Sequence, residues 1–141
     1  MNKTIIKLIF ASFAFIGFTG YAHAADSIGS FFTITPGDDV EGMARIQPAR
    51  DGGHILTLSP SFKAARAPAL YVVLHKDTIP RQYNRNNAVM VSKLKSFTGM
   101  QQYYIPPNVN PADFEAVIIW CKEFNVTFGA AKMMPISRGF F

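Results

Sequence analysis

The residue best suited to redox chemistry is the single cysteine, Cys121. An unpaired thiol can be oxidised to a sulfenic acid, form a mixed disulfide with a partner, or bind a metal as the thiolate. A structural interpretation competes with these, because a buried cysteine packs as a small hydrophobic residue. The residue type alone leaves both interpretations open.

Metal centres are the next possibility. Two histidines, His54 and His75, could join Cys121 and one methionine, Met133 or Met134, as the ligands of a blue-copper site. Such sites place a histidine and a methionine a few residues after the cysteine, whereas no histidine follows Cys121. The spacing argues against copper, and both histidines lie in or beside strand patterns that favour surface or half-buried roles. Haem stays open, because one thiolate suffices as an axial ligand, with either histidine opposite it.

Several common enzyme classes are excluded by the sequence. It has no Gly-x-Ser-x-Gly, His-Glu-x-x-His, Cys-x-x-Cys, phosphate-binding glycine loop or calcium loop. It also lacks the Cys-x-x-Cys-His motif that attaches haem covalently. The formal net charge is +5, or about +3 without Lys3 and Lys7, and so small and scattered a charge argues against nucleic acid as a partner.

The first 24 residues have the pattern of a removable export signal. Lys3 and Lys7 precede an apolar run over residues 8–20, and residues 22–24 (Ala-His-Ala) provide the cleavage pattern. We predict cleavage after Ala24 and a periplasmic or extracellular protein with no integral membrane segment, because the apolar run is shorter than the roughly 20 residues that a membrane span needs. In an oxidising compartment, an odd cysteine indicates a free thiol or an intermolecular bridge.

Residues 25–141 are predicted to form a single domain. The chain is 49% hydrophobic and only 16% charged, so a folded core is expected rather than disorder. Short apolar patterns separated by Gly, Pro and Asn predict an all-β fold, a single antiparallel β-sandwich of about eight strands. The predicted strands cover residues 30–35, 43–47, 54–58, 70–74, 88–93, 102–105, 116–121 and 125–131.

The connections have recognisable turn residues. Asp51-Gly52-Gly53 and Thr98-Gly99 are predicted turns whose glycines supply positive φ. Asn110 and Pro111 are the expected N-cap and first residue of one helical turn. The polar loop over residues 82–87 is expected to be exposed, and with residues 106–113 it could contact a partner.

The strand over residues 116–121 positions the thiol. Alternation places Cys121 on one face of this strand and Trp120 on the other. Lys122 and Glu123 should begin a turn, which predicts that Cys121 lies at the rim of the sheet, where a partner or cofactor could reach it. The nearby aromatic side chains are expected to be in the core; they are Tyr71, Trp120, Phe124 and Phe128.

Residues 117–131, VIIWCKEFNVTFGAA, carry a resemblance to a known family. The run resembles the signature of the electron-transfer DM13 domain, which has Trp-Cys-Lys, a Phe two residues on, and then Phe-Gly-x-Ala. Three further segments agree with that family: residues 40–62, 67–76 and 92–116. The resemblance covers roughly residues 30–133, and it departs from the family at Ala67-Pro68, where the family commonly has Gly-Pro.

The resemblance implies an extracytoplasmic β-sandwich, found alone or beside DOMON-type cytochrome domains. Its lone cysteine would act in redox transfer as a bare thiol or through a prosthetic group such as haem. By position, Cys121 is that cysteine, and Trp120 and Phe124 are its supporting aromatics. A redox partner protein is then expected. The alternatives are a non-catalytic binding or structural module with an inert buried cysteine, and a homodimer linked through Cys121; whether the protein is an enzyme stays open.

Overall fold

The computed structural model describes residues 26–136. The predicted signal peptide over residues 1–24 lies outside the described residues, as do residues 137–141 at the end of the chain. Export and cleavage after Ala24 therefore stay predictions. Within the described part of the chain, no helix is long and apolar enough to cross a bilayer.

The all-β prediction is confirmed. All eight predicted strands are present, with ends within three residues of those expected. Three further strands of two residues each were not predicted, because so short a pairing leaves no alternation in the sequence. The strands are β1 Ser27–Thr33, β2 Val40–Glu41, β3 Met43–Pro48, β4 His54–Leu58, β5 Lys63–Ala64, β6 Leu70–His75, β7 Ala88–Lys93, β8 Gln101–Ile105, β9 Ala116–Cys121, β10 Val126–Lys132 and β11 Met134–Pro135.

Nine of the strands form one continuous antiparallel arrangement in the order β7-β6-β9-β10-β1-β3-β4-β8, with β11 also paired to β1, and β2 pairs with β5 in a separate two-stranded sheet. Strand β1 belongs to both halves, because Ser27–Ser30 pairs with β3 and Phe31–Thr33 pairs with β10. The result is a sandwich of two sheets joined through β1, which approaches a barrel. Gly29 lies where the two halves meet, and a Cβ there would collide with the carbonyl oxygen of Lys132.

The predicted turns are confirmed. Gly52 and Gly99 have φ of 87° and 86°, in the region that favours glycine. Asn110 caps a 3₁₀ helix over Pro111–Asp113, and its side chain accepts a hydrogen bond from the Ala112 amide at 3.1 Å. This helix carries the chain across to β9.

Strand β9 lies at the centre of its sheet and is buried on both faces. Its inner face, with Val117, Ile119 and Cys121, belongs to the main core between the sheets. Its outer face, with Ile118 and Trp120, belongs to a second, smaller cluster. The predicted alternation of β9 is therefore confirmed.

Candidate functional site

The thiol lies at the end of its strand, as predicted. Cys121 is the last residue of β9, and it pairs with Val126 on β10 and Leu70 on β6. The chain then turns through Lys122–Asn125, which are all exposed. The backbone of Cys121 is thus at the rim of the sheet, one residue from solvent-exposed chain.

The Cys121 side chain is nevertheless completely enclosed, with 0% of its surface exposed. The expectation that a partner or cofactor could reach the sulfur is not met in this conformation. The physical reason is the direction of the Cβ bond: Cys121 points to the same interior face as Val117 and Ile119, so the core between the sheets covers it. A position at the end of a strand did not make the side chain accessible.

One amide side chain organises the turn beyond Cys121. The Oδ1 atom of Asn125 accepts hydrogen bonds from the indole Nε1 of Trp120 at 3.0 Å and from the Tyr83 amide at 3.2 Å. Asn125 has φ of 48°, a left-handed conformation that asparagine tolerates better than most residues. The turn, the indole and the loop over residues 82–87 are therefore fixed to one another.

Trp120 is the centre of an aromatic cluster on the outer face of the sheet. Its ring centroid is 4.6 Å from that of Tyr83 and 6.2 Å from that of Tyr71. The core prediction is confirmed for Trp120, which is 5% exposed, and for Phe128. Trp120 points away from the face that holds Cys121, so it is the sulfur's neighbour along the chain without sharing its environment.

Phe124 does not lie in the core, and that prediction was wrong. It is 67% exposed, because it belongs to the turn beyond the last Cys121–Val126 pair, where strand alternation no longer applies. It lines an open surface depression with Ile34, Arg81 and Gln82. As a supporting aromatic for the sulfur, Phe124 is therefore in the neighbouring turn and not packed around it.

The surface around this turn is basic. Residues 81–87 carry Arg81 and Arg85, and the turn carries Lys122 against a single acid, Glu123. The Lys122 ammonium lies 5.9 Å from the centroid of the Tyr71 ring. A positively charged rim beside an exposed aromatic is suited to a partner with acidic groups.

The residues do not fit a haem bound between Cys121 and His75. Both lie on the β6–β9 ladder, where Cys121 pairs with Leu70 and His75 pairs with Ala116. Five residues of strand separate the two pairs, which is about 17 Å, so one iron cannot bind both. The enclosed sulfur also leaves no room for a porphyrin against it. Across residues 26–136, no three His, Cys, Asp or Glu side chains are grouped closely enough to hold a metal ion.

The two histidines are more buried than expected. His75 is 1% exposed, and its Nδ1 accepts a hydrogen bond from the Asp77 amide at 2.9 Å. Burial lowers the pKa of His75, against the opposing effect of the Asp77 carboxylate 3.8 Å away. His54 is 8% exposed, and burial lowers its pKa as well. The inward alternation of His54, Leu56 and Leu58 in β4 was a signal that could have predicted this.

Of the two adjacent tyrosines in β8, Tyr103 is buried and Tyr104 exposed. The Tyr104 hydroxyl donates a hydrogen bond to the carboxylate of Asp51 in the β3–β4 turn. This bond lowers the pKa of Asp51 and raises the pKa of Tyr104. Tyr104 therefore anchors the turn predicted at Asp51-Gly52-Gly53.

The comparisons with known proteins agree with the resemblance. A family model described as Electron transfer DM13 matches residues 32–133, a span that includes Cys121, Trp120 and Phe124. No curated protein and no solved structure matches the chain.

Proposed function

This chain belongs to the electron-transfer DM13 family, and from that premise we propose that it is an exported redox module whose reactive centre is Cys121. The family supports a redox or electron-transfer role in general. One observation carries the finer proposal: the chain's only thiol ends β9 directly before an exposed four-residue turn. Because the core covers the sulfur, exposing it requires the end of β9 to separate from the core together with that turn.

Because the sulfur is enclosed, its reaction requires a local opening. The turn is held on the β6 side by the Lys122 amide, which donates to the Ala69 carbonyl at 2.9 Å. It is held on the outer face by the two hydrogen bonds to Asn125. Segments held by few contacts open at a lower free energy than the whole domain. The thiol would then react only while this end of the strand is open.

The reaction is a two-electron exchange. The Cys121 thiolate attacks one sulfur of a partner disulfide, a mixed disulfide forms, and the other partner sulfur leaves as a thiolate. A second thiol then attacks the mixed disulfide, releases Cys121 as a thiolate and is itself oxidised. That resolving thiol belongs to another protein, since this chain has one cysteine. The basic rim with Arg81 and Lys122 would favour an acidic partner at this turn.

A second candidate function is a non-catalytic binding or structural module of the periplasm or extracellular space, with Cys121 inert. The complete burial of the sulfur is the observation that favours it. A homodimer linked through Cys121 needs the same opening as the redox exchange, because two enclosed sulfurs cannot meet. That dimer would appear on non-reducing gels as a band whose apparent molecular mass falls by half when a reductant is added.

Alkylation of the purified protein separates these functions. For a gated thiol we expect native Cys121 to react at least about hundredfold more slowly than in denaturant, yet faster than global unfolding allows. Asn125→Gly keeps the left-handed backbone but removes both side-chain hydrogen bonds, so it should accelerate alkylation about tenfold. Phe124→Ala is the matched control in the same turn, and it should leave the rate unchanged.

The opposite result supports the binding module. If Cys121 in each native variant is alkylated only as fast as that variant unfolds globally, the folded protein does not expose the thiol. The redox proposal through Cys121 is then wrong. An absorption spectrum of the same preparation tests the prosthetic group, since a Soret band would show that haem binds despite the enclosed sulfur.

A further inference from the structure

A pocket of about 200 Å³ lies at the end of the sandwich opposite Cys121. It is formed where four parts of the chain meet: the start of β1, the start of β4, the 3₁₀ helix before β9, and the segment between β10 and β11. We call it the His54 pocket, and its lining includes Ser27, His54, Pro111, Phe114, Glu115 and Met133. Residues 115 and 133 are tied together here, because the Met133 amide donates to the Glu115 carbonyl at 2.9 Å.

His54 is the chemically distinctive residue of this pocket. It is 8% exposed, and its Nδ1 is buried without a hydrogen-bond partner among residues 26–136. Burial lowers its pKa, so the imidazole is neutral at pH 7 and has one donor and one acceptor nitrogen. Buried polar atoms are nearly always paired, and an unpaired one is costly. Nδ1 has almost no accessible surface, so a polar group in the pocket reaches this nitrogen only when the imidazole turns about its Cβ–Cγ bond.

The walls define the rest of the ligand. Phe114, Met133 and Pro111 present apolar surface, and thioether sulfur makes favourable contacts with aromatic rings. An apolar cavity of about 150 Å³ is known to hold one benzene molecule, so about 200 Å³ accommodates one substituted ring. Glu115 is also part of the lining, and its carboxylate disfavours an anionic ligand.

We propose that the His54 pocket binds a small neutral phenol, with the ring against Phe114 and Met133 and the hydroxyl hydrogen-bonded to the imidazole of His54. A phenolic hydroxyl both donates and accepts, so it suits either neutral tautomer of the histidine. With a pKa near 10, as in tyrosine, it is uncharged at pH 7 and compatible with Glu115. This site is separate from Cys121, and the proposal does not depend on the reactivity of that thiol.

The test is an NMR titration of the purified protein with phenol at pH 7. We expect shifts of the His54 ring, Phe114 ring and Met133 methyl resonances, with saturation. Toluene has the same ring without the hydroxyl, so it should bind about tenfold more weakly, and benzoate should bind more weakly than phenol. His54→Phe should weaken phenol about tenfold and leave toluene unchanged.

His75→Phe is the matched control variant, because His75 is also a buried histidine and lies outside the lining of this pocket. It should leave the affinity for phenol unchanged. Phenol that saturates without shifting these three resonances, or that binds the wild-type protein no better than toluene, overturns the proposal. The ligand comparison uses only the wild-type protein, so it stays decisive if His54→Phe fails to fold.

Discussion

The two ends of strand β9 differ in how accessible they are to another molecule. At the Cys121 end, the nucleophilic sulfur is present and completely enclosed by the core. At the Ala116 end, the His54 pocket is open to a ligand, and its lining includes an imidazole whose unpaired Nδ1 is buried beneath the pocket surface. About 17 Å of strand separates the two ends. The nucleophilic thiol and the open pocket therefore lie at opposite ends of the same strand.

The connections at each end explain the difference. Beyond Cys121, four residues return the chain directly to β10, so the sheet stays closed up to its last pair. Before Ala116, the chain arrives from β8 through the 3₁₀ helix Pro111–Asp113, which crosses from one sheet to the other. The hairpin joins two strands of the same sheet beside the covered sulfur, whereas the crossing segment lines the His54 pocket. Access to the thiol needs movement, and access to the pocket does not.

The largest expected effect comes from the packing that supports the closed end. Trp120→Ala removes a nearly buried indole together with its ring contacts and the hydrogen bond to Asn125. We expect the free energy of unfolding to fall by about 3–5 kcal/mol, measured by urea denaturation. Phe124→Ala, an exposed aromatic four residues on, should cost less than about 0.5 kcal/mol. Equal costs for the two variants would show that Trp120 does not support this end.

An intermediate effect is expected at Asn125. Asn125→Ala loses two hydrogen bonds and also strains a backbone with positive φ, so we expect a loss of about 2–3 kcal/mol. Asn125→Gly loses only the hydrogen bonds and should be less destabilising by about 1 kcal/mol. Thermal unfolding of both variants measures the difference. If glycine were no better than alanine, the left-handed conformation would not contribute to the stability of the turn.

The sequence predicts some features of these two ends and not others, because each sequence pattern covers only a few neighbouring residues. Alternation and Gly or Pro punctuation extend over five or six residues, and they located the eight longer strands and the face on which Cys121 lies. They could not show that the core covers the sulfur, because that depends on the opposite sheet. Phe124 was misplaced because alternation ends with the last strand pair. The His54 pocket combines residues from 27 to 135 in the sequence, so no local pattern reveals it.

The smallest effect is expected from the pH dependence of stability, and it addresses the histidine side of the comparison. The pKa values of His54 and His75 are both lowered by burial, so the unfolded chain binds more protons than the folded one near and below pH 6.5. Their contribution to stability is therefore complete above that pH and is lost as the pH falls towards the folded pKa values. The melting temperature should decrease between pH 7 and pH 5.

His54→Phe should reduce this decrease, because it removes one of the two titrating groups and leaves His75 in place. Asp51 does not affect this measurement. The hydrogen bond from Tyr104 lowers the pKa of Asp51, so the contribution of Asp51 to the stability of the protein is lost only below the ordinary carboxyl pKa of 3.8. A phenol hydroxyl that donates to the lone pair of the neutral imidazole binds only that form, so saturating phenol should make the decrease steeper in the wild-type protein. In His54→Phe, the same addition should leave the pH dependence of the melting temperature unchanged. A melting temperature that is flat from pH 7 to pH 5 would contradict the burial of both imidazoles as neutral groups.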